Sequence, residues 1–333
     1  METVMKGHFS EPETYAAWSR NADIRYRSTS GGVFTELARV IINKGGIVSG
    51  ARYNDECKVE HCIVDSIEGL EAIRQSKYMS SDPKNIYREI KEALSAGRLV
   101  GYCGSPCQVA GLYSFLGHDY DNLITIDFIC RGMNSPKAFI SWFKEEEKLE
   151  NSRAIKVWFK YKDGGWKSSP RRTRIDFEDG HNVVYEGKKN LFMYGYLSSN
   201  LYIRPCCGNC RFKGVPRQGD ITLADFWGIE KELDDDKGTS LILINSSKGV
   251  SLLEEAIDNL VIHHRDFREI FQGNPMFSQS ALVPENAHQF LTDLDNMSFS
   301  EALRKYKGHP DQLGKRNVFG KMKNKLRHIL SKM

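Results

Sequence analysis

The residues in this chain best suited to chemistry are cysteines. Cys207-Gly-Asn-Cys210 is a C-x-x-C pair, a spacing that lets two thiolates turn toward one metal while backbone amides donate to the sulfurs. It lies between Arg204-Pro205 and a stretch rich in Gly and Arg, so irregular chain is predicted around it. Cys107 sits in Gly104-Ser105-Pro106-Cys107, directly after the apolar run RLVGYC, and Cys130 closes LITIDFIC. Both runs read as β-strands, and in open α/β sheets ligands gather outside the carboxyl ends of the strands. Two cysteines from two such ends plus a C-x-x-C make four thiolates at one edge. That set suits one 4Fe–4S cluster and equally a structural zinc. Taken singly, each cysteine also reads as a small buried hydrophobe. Cys57, Cys62, Cys103 and Cys206 are assigned to that class, although Cys103 and Cys206 lie close enough to stand in as ligands.

A second feature is Ser30-Gly31-Gly32 before an apolar-periodic stretch. Unpaired amides at a helix N-terminus favour an anion, and glycines let a phosphate approach the backbone. The same residues also read as a plain helix cap. They form neither G-x-G-x-x-G nor a P-loop, so a classical NAD or ATP site is not predicted.

The elements that must position these groups alternate. TYAAW reads as a strand, and a helix follows with Val33, Phe34, Leu37, Val40 and Ile41 on one face, ended by Gly45-Gly46. GIVSGARY and EHCIVDS read as a strand pair, SIEGLEAIR and PKNIYREIKEALSAG as helices. RLVGYC and LITIDFIC are strands, each followed by a helix, SPCQVAGLYSFLG and SPKAFISWFKEEEKLE. Strand and helix in turn predict parallel pairing with right-handed crossovers. From about residue 154, AIKVWFKYKD, TRIDFED and HNVVYEG alternate with period two, the pattern of an antiparallel meander. After the Cys-rich stretch, DITLADFW and SLILINS return as strands and KGVSLLEEAIDNL as a helix. The predicted fold is α/β: a mixed sheet with helices on both faces, an antiparallel β insertion and a Cys-rich loop. Three parts are expected: 1–150, 151–264, and a weakly patterned helical region over 265–333.

Composition narrows the functions. The chain has 333 residues, 40% hydrophobic and 27% charged, enough for a sizeable core and unlike a disordered or fibrous chain. Its apolar runs are too short to span a bilayer, and the N-terminus has no secretory h-region, so a cytoplasmic protein is expected. Eight cysteines without a leader point to metal or redox chemistry rather than a disulfide scaffold. From Gln312 to Met333 there are seven Lys or Arg and no acid, which leaves residues 1–311 at about −3. Nucleic-acid readers carry their basic patch on the folded body, so nucleic acid is not predicted as a partner. In the tail, Val318, Met322, Leu326, Ile329 and Met333 recur at helical spacing among lysines. That pattern admits a peripheral contact with an anionic membrane, and equally a solvated terminal helix.

Six short motifs occur in order: YAAW…RNADIRYRSTSGGVF, QSKYMSSD, GYCGSPCQVAGL, DFICRGMNSP, RPCCGNCRF and GDITLADFWGIE. In these the chain resembles the beta-subunit family of coenzyme F420 hydrogenases and dehydrogenases, from about Tyr15 to about Gly249. The resemblance implies an iron–sulfur flavoprotein oxidoreductase that binds FAD and one 4Fe–4S cluster and reduces a small-molecule substrate, with some members resembling components of surface-polysaccharide gene clusters. It implies cluster ligands at Cys107, Cys130, Cys207 and Cys210. It places the family's S-G-G motif on Ser30, Gly31 and Gly32, its S-K-Y motif on Ser76, Lys77 and Tyr78, and its D-F-W-G motif on Asp225 to Gly228. The flavin cleft is then expected between Ser30–Gly32, Lys77, Tyr78 and the Gly104-Ser105 loop. Many members carry an N-terminal ferredoxin-like module; here the residues before Ser30 contain no cysteine, so electrons are expected from a separate ferredoxin or partner protein. Arg131 stands where His is common, a difference expected on the substrate side. A non-redox accessory protein with a four-Cys zinc is the competing expectation.

Overall fold

The computed structural model describes residues 8–307. Eleven strands form two sheets: β1 (His8–Ser19), β2 (Ile47–Tyr53), β3 (Val59–Val64), β4 (Val100–Cys103), β5 (Leu123–Phe128), β6 (Ala154–Phe159), β7 (Arg172–Phe177), β8 (Asn182–Glu186), β9 (Ile221–Asp225), β10 (Ser240–Ser246) and β11 (Leu260–Arg265). The larger sheet has the order β11-β1-β10-β9-β5-β4-β2-β3, and the smaller is β6-β7-β8. β2, β4, β5 and β9 run parallel, so their carboxyl ends share one edge; β3, β10, β1 and β11 pair antiparallel on the two flanks. The sheet is therefore mixed. Strands from before residue 130 and after residue 220 interleave in it.

Alternation along the strands divides the core. Ile47 of β2 and Leu123 of β5 face the helices Ile86–Ser95 and Pro106–Leu116. Val48, Ile124 and Ile126 face the opposite way, against the helices Val33–Asn43 and Ser247–Ala256. That is the period-two pattern of a sheet covered on both faces. Past β5, the helix Pro136–Glu150 leads into the antiparallel meander β6-β7-β8. An aromatic core of Phe139, Trp142, Phe159, Phe192 and Tyr202 joins that meander to the helix Leu191–Ser199.

The small sheet is fastened to the large one by long cations. Lys162 is buried, and its Nζ donates to the carbonyls of Arg25, Ser30 and Lys237. Lys160, also buried, pairs with Asp225 at the end of β9. Trp166 stacks on Trp227 at 4.2 Å and 7°. No helix among the described residues is long and apolar enough to cross a membrane. The basic terminal stripe lies outside the described residues.

Candidate functional site

The four cysteines singled out by spacing come together. Cys107, Cys130, Cys207 and Cys210 line one small cavity of about 30 Å³, with Gly132, Lys213 and Arg217 among its other walls. Cys107 stands in the first turn of the helix Pro106–Leu116, whose Ser105 cap forms a capping box with Gln108; the Ser105 hydroxyl lies 3.2 Å from the Cys107 sulfur. Cys130 follows β5 by two residues, Cys207 lies within a short helical turn over Pro205–Asn209, and Cys210 directly follows it. The Met133 N–H points at the Cys207 sulfur from 3.5 Å. Gly132, at φ +153°, fits between them: a Cβ there would stand 2.7 Å from Ile203 Cγ2 and 3.4 Å from the Cys207 Cβ, so the close approach of the Cys130 turn to the C-x-x-C loop requires glycine.

Electrostatics also group these residues. Burial pushes the Cys130 thiol up to about 12; Lys213 pulls it down, while Cys107 and Cys207 push it further up. Burial also raises Cys207, against the Met133 amide. Lys213 Nζ donates to the Cys130 carbonyl at 2.5 Å and to the Met276 carbonyl at 2.8 Å, holding a cation beside the sulfurs. Thiols disfavoured as thiolates by burial ionise when a metal replaces the protons. A single tetrahedral zinc, with Zn–S near 2.3 Å, needs sulfurs about 3.8 Å apart. Among the described residues no three His, Cys, Asp or Glu side chains gather closely enough to hold one ion.

A second cavity, of about 560 Å³, adjoins the first: Cys130, Arg131, Gly132, Met133 and Met276 belong to the walls of both. Its size falls in the range of cofactor sites. Ser30, Gly32, Lys77, Tyr78 and Gly104 line it, as expected from the motifs. Thr29 and Ser76 tie two of those motifs together, the Ser76 N–H donating to the Thr29 hydroxyl at 2.8 Å.

Two expected contributors lie off the lining, and a third lines it without capping the helix. Gly31 is absent from the lining; a Cβ there would strike the Ala17 carbonyl and lie 2.9 Å from Ser240 N. It lets the chain lie flush on β1 and β10. Ser105 is also off the lining, fully buried as a helix cap. Ser30 reaches the lining but does not cap the helix: the N-cap is Gly32, and the Ser30 hydroxyl donates to the Thr239 carbonyl at 2.8 Å. Gly31→Ala should therefore act through packing. The expected loss is about 1–3 kcal/mol, the usual cost of overpacking, read as a lower urea midpoint. An unchanged midpoint with weaker flavin binding would place Gly31 in the site instead.

Lys77 is held firmly in this lining, which also includes residues that the motifs left without a role or passed over. Lys77 Nζ is held by the carbonyls of Ala72, Arg74 and Gln75, and burial brings it down to about 7. Asp225 and Trp227 of the D-F-W-G motif line the cavity with Lys160. His61 lines it too; its Nε2 lies 3.3 Å from the Cys103 carbonyl, and burial lowers its pKa to about 4, so the ring stays neutral at physiological pH. His61 follows a glutamate in an amphipathic strand, and nothing local marks it. Cys103 lines this second cavity rather than the first, and Cys206 is exposed.

Four thiols thus gather at the carboxyl edge of a mixed α/β sheet, next to a cavity of cofactor size. The model for the N-terminal part of the coenzyme F420 hydrogenase/dehydrogenase beta subunit matches residues 14–85, and that for its C-terminal part matches residues 97–269. The chain belongs to this family of oxidoreductase subunits. The fold is similar to that of a chain in the F420-reducing [NiFe] hydrogenase complex from Methanosarcina barkeri. The TM-score is 0.52 with 17% identity, over 93% of this chain and 94% of that one. No curated protein matches.

Proposed function

We propose that the chain is an iron–sulfur flavoprotein oxidoreductase, holding one 4Fe–4S cluster on Cys107, Cys130, Cys207 and Cys210 and FAD in the adjoining cavity. The observation that carries this reading is the shared wall: Cys130 to Met133 bounds both the four-cysteine cavity and the 560 Å³ one. Bound there, the two groups would supply one-electron exchange and hydride transfer.

The chain's own residues prepare for both. The Met133 amide and the Ser105 hydroxyl approach cysteine sulfurs, and hydrogen bonds to sulfur tune such centres. Lys213 sets a positive charge beside a site that gathers negative ones. The start of the helix Val33–Asn43 has no side-chain cap, which leaves its amides for an anion such as a dinucleotide pyrophosphate. Val33, Phe34, Ile73, Ile126 and Leu223 make the neighbouring wall apolar and exclude water. Within this reading, residues 1–150 supply most of the flavin cavity, 151–264 close it and bring the C-x-x-C loop, and 265–307 brace that loop. A ferredoxin-like donor, a small-molecule substrate, a role in surface-polysaccharide synthesis and a cytoplasmic setting near the inner membrane face extend the proposal, resting on the family resemblance.

Anaerobic purification tests it. The expected product is brown, with about four iron and four sulfide per chain and FAD released on acid treatment. A colourless protein with one zinc per chain and no flavin would overturn the reading in favour of the non-redox accessory protein.

A further inference from the structure

We infer that the face carrying Arg204, Arg211, Val215 and Leu282 is a docking surface for a small acidic electron-carrier protein; this rests on the cofactor reading above. Arg204 to Gln218 holds four charged residues in fifteen, the same density as the whole chain at 27%, yet all four are cations. Residues 1–311 are net acidic, so the sign is local to this segment. Two of the four are spoken for: Lys213 by the carbonyls of Cys130 and Met276, and Arg217, buried, by Asp127. Arg204 and Arg211 are exposed, and neither has an ion-pair partner among the described residues.

Exposed apolar side chains accompany these charges. Leu282 is 87% exposed and Val215 41%. Both belong to strips bonded to each other: Cys210 N–H donates to Ser280 Oγ at 3.0 Å, Gly214 N–H to the Phe277 carbonyl at 2.7 Å, and a Cβ on Gly208 would lie 3.2 Å from Val283. The strips therefore form one continuous face. Exposed apolar side chains accompanied by unpaired cations suit a transient interface that meets an acidic partner and steers it by charge. The face is also the outer side of the four-cysteine cavity, because Cys207 and Cys210 belong to both. A carrier seated there has its redox centre opposite the thiols, on the side of Cys207 and Cys210, whereas the flavin cavity is reached through Cys130.

The test is binding of an acidic two-cluster ferredoxin to the anaerobically purified full chain, by calorimetry at low and high salt. Wild type is expected to bind, and to bind more weakly as salt rises. Arg204→Glu with Arg211→Glu should weaken the low-salt Kd at least about tenfold, and Leu282→Ser alone by several-fold, with iron and flavin content unchanged in both. Equal affinity in wild type and double variant overturns the inference. So does the absence of ferredoxin binding by a wild type that holds its iron and flavin. Arginine-dependent sedimentation with anionic liposomes in place of ferredoxin binding would assign the face to a membrane and overturn it as well. A wild type lacking iron and flavin would sink the cofactor reading instead. The calorimetric comparison would still decide the surface, because it reads binding alone.

Discussion

Replacing Cys130 by alanine should remove iron and disturb flavin together. Alanine at Cys107, Cys207 or Cys210 should remove iron while leaving most of the flavin. The distinction follows from the walls. All four cysteines line the small cavity, but only Cys130 of the four also lines the large one. Loss of a ligand should lower iron content at least about tenfold, since even outer partners of metal ligands cost ten- to a hundredfold in affinity. Cys57→Ala serves as the control. Cys57 is 4% exposed, its thiol donates to the Ala154 carbonyl at 3.6 Å, and it lines neither cavity, so its loss should lower stability without lowering iron per folded chain. Iron and acid-released flavin per chain, measured on anaerobic preparations, check the set. A Cys130→Ala protein with wild-type iron would remove Cys130 from the ligands, and Cys103, which lines the large cavity, would be the replacement to test.

The parts of this site that were legible in the sequence share one property: their signal is local. RLVGYC and LITIDFIC are short apolar runs ended by turn residues, so both strands, and the cysteines at or just past their ends, could be read without knowing their partners. The C-x-x-C spacing is local in the same sense. Gly31 and Gly32 look alike in sequence, yet one faces the backbone of β1 and β10 and the other lines the cavity. Which is which depends on β10, two hundred residues away. Lys160 directly follows β6, whose period-two pattern marks only the meander; its pairing with Asp225 across two sheets left no trace nearby. The helix Leu191–Ser199 reads LFMYGYLSS, mostly apolar through its first seven residues, and so short an apolar run has no helical period to detect. The strand β11 reads LVIHHR and lies at the sheet edge against β1, where two histidines weaken the strand pattern.

Asp127 is the clearest case of a residue visible in sequence whose purpose is not, and its substitution should be the most damaging single change. An acid inside LITIDFIC has to be partnered once buried. Asp127 is fully buried, and its partners come from a stretch ninety residues on. Oδ1 accepts from Arg217 Nη2 at 2.9 Å and from Thr222 Oγ1 at 2.5 Å; Oδ2 accepts from the amides of Gln218 and Gly219 at 3.2 and 3.1 Å. Arg217 in turn donates to the Phe128 carbonyl and lines the four-cysteine cavity. This cluster therefore fixes the chain leaving Cys210 against the end of the strand that leads to Cys130. Asp127→Leu leaves the Arg217 guanidinium buried without its carboxylate, a change that typically costs about 3–5 kcal/mol, and frees the loop that brings Cys207 and Cys210 to Cys107. The expected result is an unfolding free energy lowered by that amount in urea denaturation, with iron lost in parallel while Cys57 stays protected from thiol reagents. Asp127→Leu combined with Arg217→Met removes both charges and should recover a large part of the stability, because a buried pair replaced by apolar groups of similar volume is often neutral. It should not recover the iron, because the loop then has no directional tie to β5. Full recovery of both by the double variant would show that packing alone places the cysteine loop, and that the Asp127–Arg217 pair does not position it.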